Sequence, residues 1–142
     1  MTTPFEPTLV PELVVSNLAK SMAFWCGLCG FEIRYDRPED GFAYIALGGS
    51  HVMLEQEVAG ENWIAGSLES PYGRGINFQI EVPDIDVVLS SLTAAGITLF
   101  REPRTTSYRV GAGDVDVREF ITFDPDGYLL RFQSLAKHQT AQ

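Results

Sequence analysis

The chain repeats itself. Val15-Ser16-Asn17-Leu18 and Val82-Pro83-Asp84-Ile85 stand 67 residues apart, and each joins the end of a β-run to the start of a helix. In the first copy Ser16 or Asn17 can cap a helix, and Leu18, Met22, Trp25 and Cys29 give that helix one apolar face before Gly30 closes it. In the second, Pro83-Asp84 opens a helix whose stripe is Ile85, Val88, Leu89 and Leu92, ended by Gly96. Each helix follows one strand and precedes three more. Residues 8–15, 31–36, 42–47 and 51–57 supply the strands of the first half, and 75–82, 97–101 and the two arms of 118–133 those of the second. A strand, helix, strand, strand, strand order met twice predicts an α+β chain of two βαβββ modules. They span about 8–57 and 75–134 of a single domain, joined by a linker over 58–74.

The clearest local signal is REFITFDPDGYLLRFQ, residues 118–133. Period-2 alternation runs up to Phe123, stops at Asp124-Pro125-Asp126-Gly127, and resumes at Tyr128, Leu130 and Phe132. Pro presets its own φ, Asp can cap the backbone, and Gly tolerates positive φ, so these four residues predict a turn. Phe42 to Gln56 has the same plan around Gly48-Gly49-Ser50. Other stretches carry less. Pro11 predicts a free edge or a break in the first strand, and 37–41 (RPEDG) reads as a turn. The linker loses the alternation but holds Trp63 and a short helical possibility over 61–67. Residues 102–116 read as irregular or extended, and 135–142 as a loose tail.

No run approaches the ~18 apolar residues of a membrane-crossing helix, and MTTPFEPTL has neither the basic start nor the apolar block of a secretory signal. These features predict a cytoplasmic protein with no membrane partner. The net charge is −9, and residues 1–71 carry 10 acidic and 3 basic groups against 9 and 7 in 72–142. That acidity disfavours nucleic-acid phosphates and favours a cationic ligand. Cys26 and Cys29 form a C-x-x-C that closes a helix instead of opening one, so the macrodipole does not activate it; buried structural thiols are expected.

The repeated order, together with VSNLAKSMAFWCGLCGFEI and REFITFDPDGYLLRF, resembles the vicinal oxygen chelate superfamily of glyoxalases, extradiol dioxygenases and bleomycin-resistance proteins, over about residues 8–134. The resemblance implies curved sheets around a cavity with helices outside, and a homodimer. It also implies four inward metal-ligand positions, which fall here on Val10, Glu55, Asn77 and Arg131. Valine has no donor, the asparagine carbonyl is a weak ligand, and arginine is a permanent cation, so no metal and no other cofactor is expected. VPELVVSNL and DRPEDGFAYIALGG, followed by a Trp-containing linker, are similar to the bleomycin-resistance branch. That branch implies a non-catalytic protein sequestering a bleomycin-type antibiotic. The alternative is a metal-dependent glyoxalase or dioxygenase of the same superfamily.

Bleomycin-type drugs carry a cationic tail and flat bithiazole rings, which an acidic, aromatic groove would attract by steering and stacking. Alternation places His51, Glu55, Glu81, Phe120 and Arg131 inward, the third strand offers Phe42 and Tyr44, and the linker offers Trp63; these eight are the expected ligand-binding residues. No catalytic residue is expected.

Overall fold

A computed structural model of the chain describes residues 6–136; the expected tail from residue 137 on, with His138, lies outside them. The chain divides into two compact units, one ending at Tyr72 and the other beginning at Gly73.

The first unit holds β1 (Glu12–Val15), α1 (Leu18–Met22), β2 (Glu32–Arg37), β3 (Phe42–Leu47) and β4 (Ser50–Gln56), with sheet order β1-β4-β3-β2. The second holds β5 (Asn77–Glu81), α2 (Ile85–Ala94), β6 (Leu99–Val110), β7 (Gly113–Phe123) and β8 (Leu129–Leu135), in the order β5-β8-β7-β6. Strand for strand, the second order repeats the first. In each unit the first strand runs parallel to the last, and the other pairings are antiparallel. The duplicated βαβββ plan and the α+β class are as the sequence predicts.

Pairing fixes the faces. In the first unit Leu13, Val15, Ala43, Ile45, Val52 and Leu54 share one face by register and are all buried, together with Phe24 and Trp25 of the helical segment. In the second, Thr122, Leu130, Phe120 and Phe132 share a buried face, and α2 packs on β7 and β8 through Ile85, Val88 and Leu92. Burying each large apolar side chain contributes roughly 1.5–3 kcal/mol, which holds the helices in place. The opposite faces carry most of the polar residues. Asn17 caps α1 by accepting from the Lys20 N–H at 3.0 Å, and Asp84 caps α2 by accepting from Asp86 N–H at 2.9 Å. At the expected 124–127 turn, Asp124 Oδ1 accepts from the N–H groups of Asp126 and Tyr128, both at 2.9 Å, and Gly127 takes φ +100°.

Three details differ from the sequence reading, and a fourth is narrowed. The first strand begins at Glu12, because Pro11 contributes only its carbonyl, which accepts from Met53 N–H at 2.9 Å. After one turn α1 widens into a π-helix over Ala23–Leu28, where Cys29 N–H reaches Phe24 O five residues back, at 3.0 Å. The wider turn rotates the buried face onto Ser21, Phe24, Trp25 and Cys29, leaving Leu18 and Met22 half-buried. The helical possibility over 61–67 forms turns, not a helix. Of the two readings left open for residues 102–116, the extended one holds: they are the outer half of the β6–β7 hairpin, turning at Gly111 with φ +62°. Its tip is exposed on both faces, so no apolar face marks the alternation there.

Candidate functional site

On the polar face of the first sheet, β3 brings Phe42 opposite Glu55 of β4 on one side and Arg37 of β2 on the other. Glu12 joins them from β1. A cavity of about 360 Å³ opens over this row, lined by Glu12, Arg37, Asp40, Phe42, Glu55, Glu61 and Trp63. The Arg37 guanidinium lies over the Phe42 ring, 4.1 Å from its centroid, and its Nε is 3.3 Å from Asp40 Oδ2. The short 3₁₀ turn Pro38–Asp40 sets that spacing, and Gly41, at φ +63°, ends it. A side chain at Gly41 would meet Gln56 Cβ at 2.8 Å, so this tight entry into β3 requires glycine. Burial holds the Glu12 carboxyl above its usual range; the Glu55 charge adds to the rise and Arg37 partly offsets it.

The rim is built by Asn62. Its Oδ1 accepts from Val58 N–H at 2.7 Å, and its Nδ2 donates to Glu55 Oε1 at 2.6 Å and to Gln56 O at 3.1 Å. One amide thus pins the loop to the end of β4 and fixes the Glu55 carboxylate. The next residue, Trp63, projects into solvent with 94% of its surface exposed. A tryptophan that exposed, beside four carboxylates and an aromatic ring, forms a surface able to hold a flat cation.

Tyr44 and His51 form a neighbouring cluster on the same sheet. The Tyr44 hydroxyl is hydrogen-bonded to His51 Nδ1 at 2.8 Å, and Tyr35 stacks on Tyr44 with centroids 4.9 Å apart. Glu6 lies 3.8 Å from His51 Nδ1 and accepts from Arg34 at 2.8 Å. Burial, then the Glu6 charge, holds the Tyr44 hydroxyl above its ordinary range.

In the second unit Glu119, only 4% exposed, accepts from the Tyr108 hydroxyl at 2.6 Å and from Arg131 Nη1 at 3.4 Å. Donating to Glu119 holds the Tyr108 hydroxyl above its ordinary range. Arg131 also donates from Nε to Asn77 Oδ1 at 3.3 Å. A cavity of about 310 Å³ beside them is lined by Gln79, Tyr108, Val110, Val115, Val117, Arg131 and Gln133. Glu81 lines a different one, of about 320 Å³, with Arg118, Asp84 and Ser134.

Of the eight expected residues, the structure brings Phe42, Glu55 and Trp63 to one cavity and places Tyr44 and His51 beside each other. Glu81 and Arg131 lie in the two cavities of the second unit. Phe120 does not face inward. It is fully buried on the helix side, stacked on Phe132 at 5.5 Å, because register pairs these two residues directly. The sequence reading missed Arg37, Asp40, Glu61, Asn62 and Glu119. Arg37 and Asp40 were legible only as parts of a turn, and nothing in the linker's composition distinguishes Asn62.

The metal positions implied by the resemblance do not fit a divalent ion. Val10 offers no donor, and Arg131 donates to Asn77 where two ligands would stand. Among the described residues no group of three or more His, Cys, Asp or Glu side chains is placed to hold one.

A duplicated βαβββ fold with a polar sheet face in each unit is the architecture of one broad class of small-molecule enzymes and binders. The chain belongs to the glyoxalase/bleomycin resistance protein/dioxygenase superfamily, whose family model matches residues 8–132. It is 30% identical to bleomycin resistance proteins of Geobacillus stearothermophilus and of Staphylococcus aureus, over 87% of this chain and 92% of each relative. A superfamily member from Alicyclobacillus acidocaldarius, solved by crystallography, shares the fold with a TM-score of 0.64 at 13% identity, covering 99% of this chain and 100% of that one. The superfamily includes both enzymes and binders. No described helix is long and apolar enough to cross a membrane.

Proposed function

We propose that this protein binds a bleomycin-type ligand, cationic and aromatic, and withholds it without turning it over, as a homodimer in the cytoplasm. The observation that carries the reading is the cavity of the first unit, where Glu12, Asp40, Glu55 and Glu61 surround Phe42 and the fully presented Trp63. Carboxylates steer and hold a cation, and an exposed indole stacks on flat heterocycles. The likeness to proteins named for bleomycin resistance points to the same class of ligand. The non-catalytic part of the reading rests on donor chemistry, because a valine and an arginine stand where a metal enzyme of this fold needs ligands.

Tryptophan fluorescence tests it directly. Trp25 is fully buried and Trp63 is exposed, so quenching by a bound ligand reports on Trp63. Titrating metal-free bleomycin should give saturable quenching, weakened by salt and abolished in Trp63→Ala. An unchanged spectrum up to high drug concentration would refute the bleomycin reading.

A further inference from the structure

We infer that Phe42 and Asp40 form a seat for a planar cation, a guanidinium or amidinium, and that Arg37 of the same chain occupies it when no ligand is bound. The inference rests on the acidic cavity being a ligand site, and adds which group docks where and what it must displace.

Two contacts define the seat: the Arg37 guanidinium 4.1 Å from the centre of the Phe42 ring, and its Nε 3.3 Å from Asp40 Oδ2. A cation over an aromatic face with a carboxylate at its side is how a protein binds a guanidinium from outside. Among the described residues Arg37 is the one basic side chain lining this cavity, against four acidic ones. Cross-strand pairing puts Arg37 directly opposite Phe42, so the occupancy follows from the fold.

The internal cation is held weakly enough to exchange. Its side chain is 49% exposed and that of Asp40 62%, so both the cation–π contact and the ion pair are screened by water. An incoming amidinium recovers both contacts while Arg37 swings into solvent. Glu12, Glu55 and Glu61 then face the ligand, with Trp63 free to cover its flat side. Ligands without a planar cation cannot displace Arg37, so the seat discriminates against neutral aromatics. Its affinity for cations is lowered by the contacts Arg37 must give up.

Benzamidinium, a flat aromatic amidinium small enough for the cavity, is the probe, and the Trp63 indole N–H resonance is the reporter. Benzamidinium should shift that resonance saturably in the unmodified protein. Arg37→Gln, which keeps most of the side-chain length and removes the charge, should lower Kd by about two- to fivefold. Adding Phe42→Leu should cancel that gain. The resonance of buried Trp25 verifies that each variant is folded. An equal or weaker affinity in Arg37→Gln, or no binding to either protein, would overturn the seat. The bleomycin titration is a separate arm. A drug that fails to bind while benzamidinium tightens on Arg37→Gln removes the proposed function and leaves the seat. A drug that binds while benzamidinium gives no response removes the seat and leaves the function.

Discussion

Asn62 lines no wall that the sequence reading singled out, yet the geometry of the cavity depends on it. Asn62→Ala removes three hydrogen bonds, of 2.7, 2.6 and 3.1 Å, one of them to the Glu55 carboxylate. Net contributions of ~0.5–1.5 kcal/mol for each neutral bond and more for the charged one set an upper range. Because the loop is largely solvated, about 1–2 kcal/mol is the expected loss of local stability. That corresponds to roughly five- to thirtyfold faster hydrogen exchange at the Val58 amide. Asn62→Asp is the sharper test. It keeps the acceptor for Val58 N–H but sets a second carboxylate where Nδ2 now lies 2.6 Å from Glu55 Oε1. Two like charges about 4 Å apart repel by about 1 kcal/mol in the aqueous limit. The bond kept to Val58 N–H offsets that repulsion, so at neutral pH the Asp variant should lose about as much stability as the Ala variant despite being nearly isosteric with asparagine. Amide exchange and thermal melts at neutral pH measure both effects. Unchanged exchange at Val58 in Asn62→Ala, or an Asp variant as stable as the unmodified protein at neutral pH, would refute the account.

Two further outcomes follow from the charges. Burial and Glu55 raise the folded pKa of Glu12, so affinity for benzamidinium should fall as pH drops through that raised value, sooner than for a solvated glutamate; Glu12→Gln should flatten this part of the pH profile. Arg131→Ala leaves Glu119 buried with the Tyr108 hydroxyl as its remaining side-chain donor. Since Arg131 is a quarter exposed and its contact is 3.4 Å, a loss of about 1–3 kcal/mol is expected by calorimetry, less than for a fully buried pair. Adding Glu119→Gln should restore much of it.

What the sequence makes legible is what local rules control. The caps at Asn17 and Asp84, the turn at 124–127 and the alternation of β3, β4 and β8 each need only a few neighbouring residues, and each is found where it was expected. The faces of β7 required register as well. Phe120 alternates with Ile121, but which of them meets the helix depends on pairing with Phe132 across the sheet. The β6–β7 tip was legible only as irregular or extended, because alternation is visible only when one face is apolar, and Tyr108, Arg109 and Val110 are all exposed. The π-turn escaped because its i→i−5 bond is chosen by the packing of Phe24 and Trp25, not by composition. At the site, Glu55 was legible from strand parity and Phe42 as an aromatic of the third strand. The seat formed by Arg37 and Asp40 was not, because it joins a strand end to a turn, and neither element alone suggests a contact with an aromatic ring.

The parallel pairing of first and last strands also bears on synthesis. Within its unit β1 is delivered first, yet among the described residues it sits at the edge of its sheet and its strand partner is β4, the last of the unit. The β1–β4 ladder therefore cannot close until residues 53–56 have been made. Strands β2, β3 and β4 can join in the order they emerge. The second unit repeats the schedule, with β5 waiting for β8. In both halves the strand that is translated first is the one that must be added last.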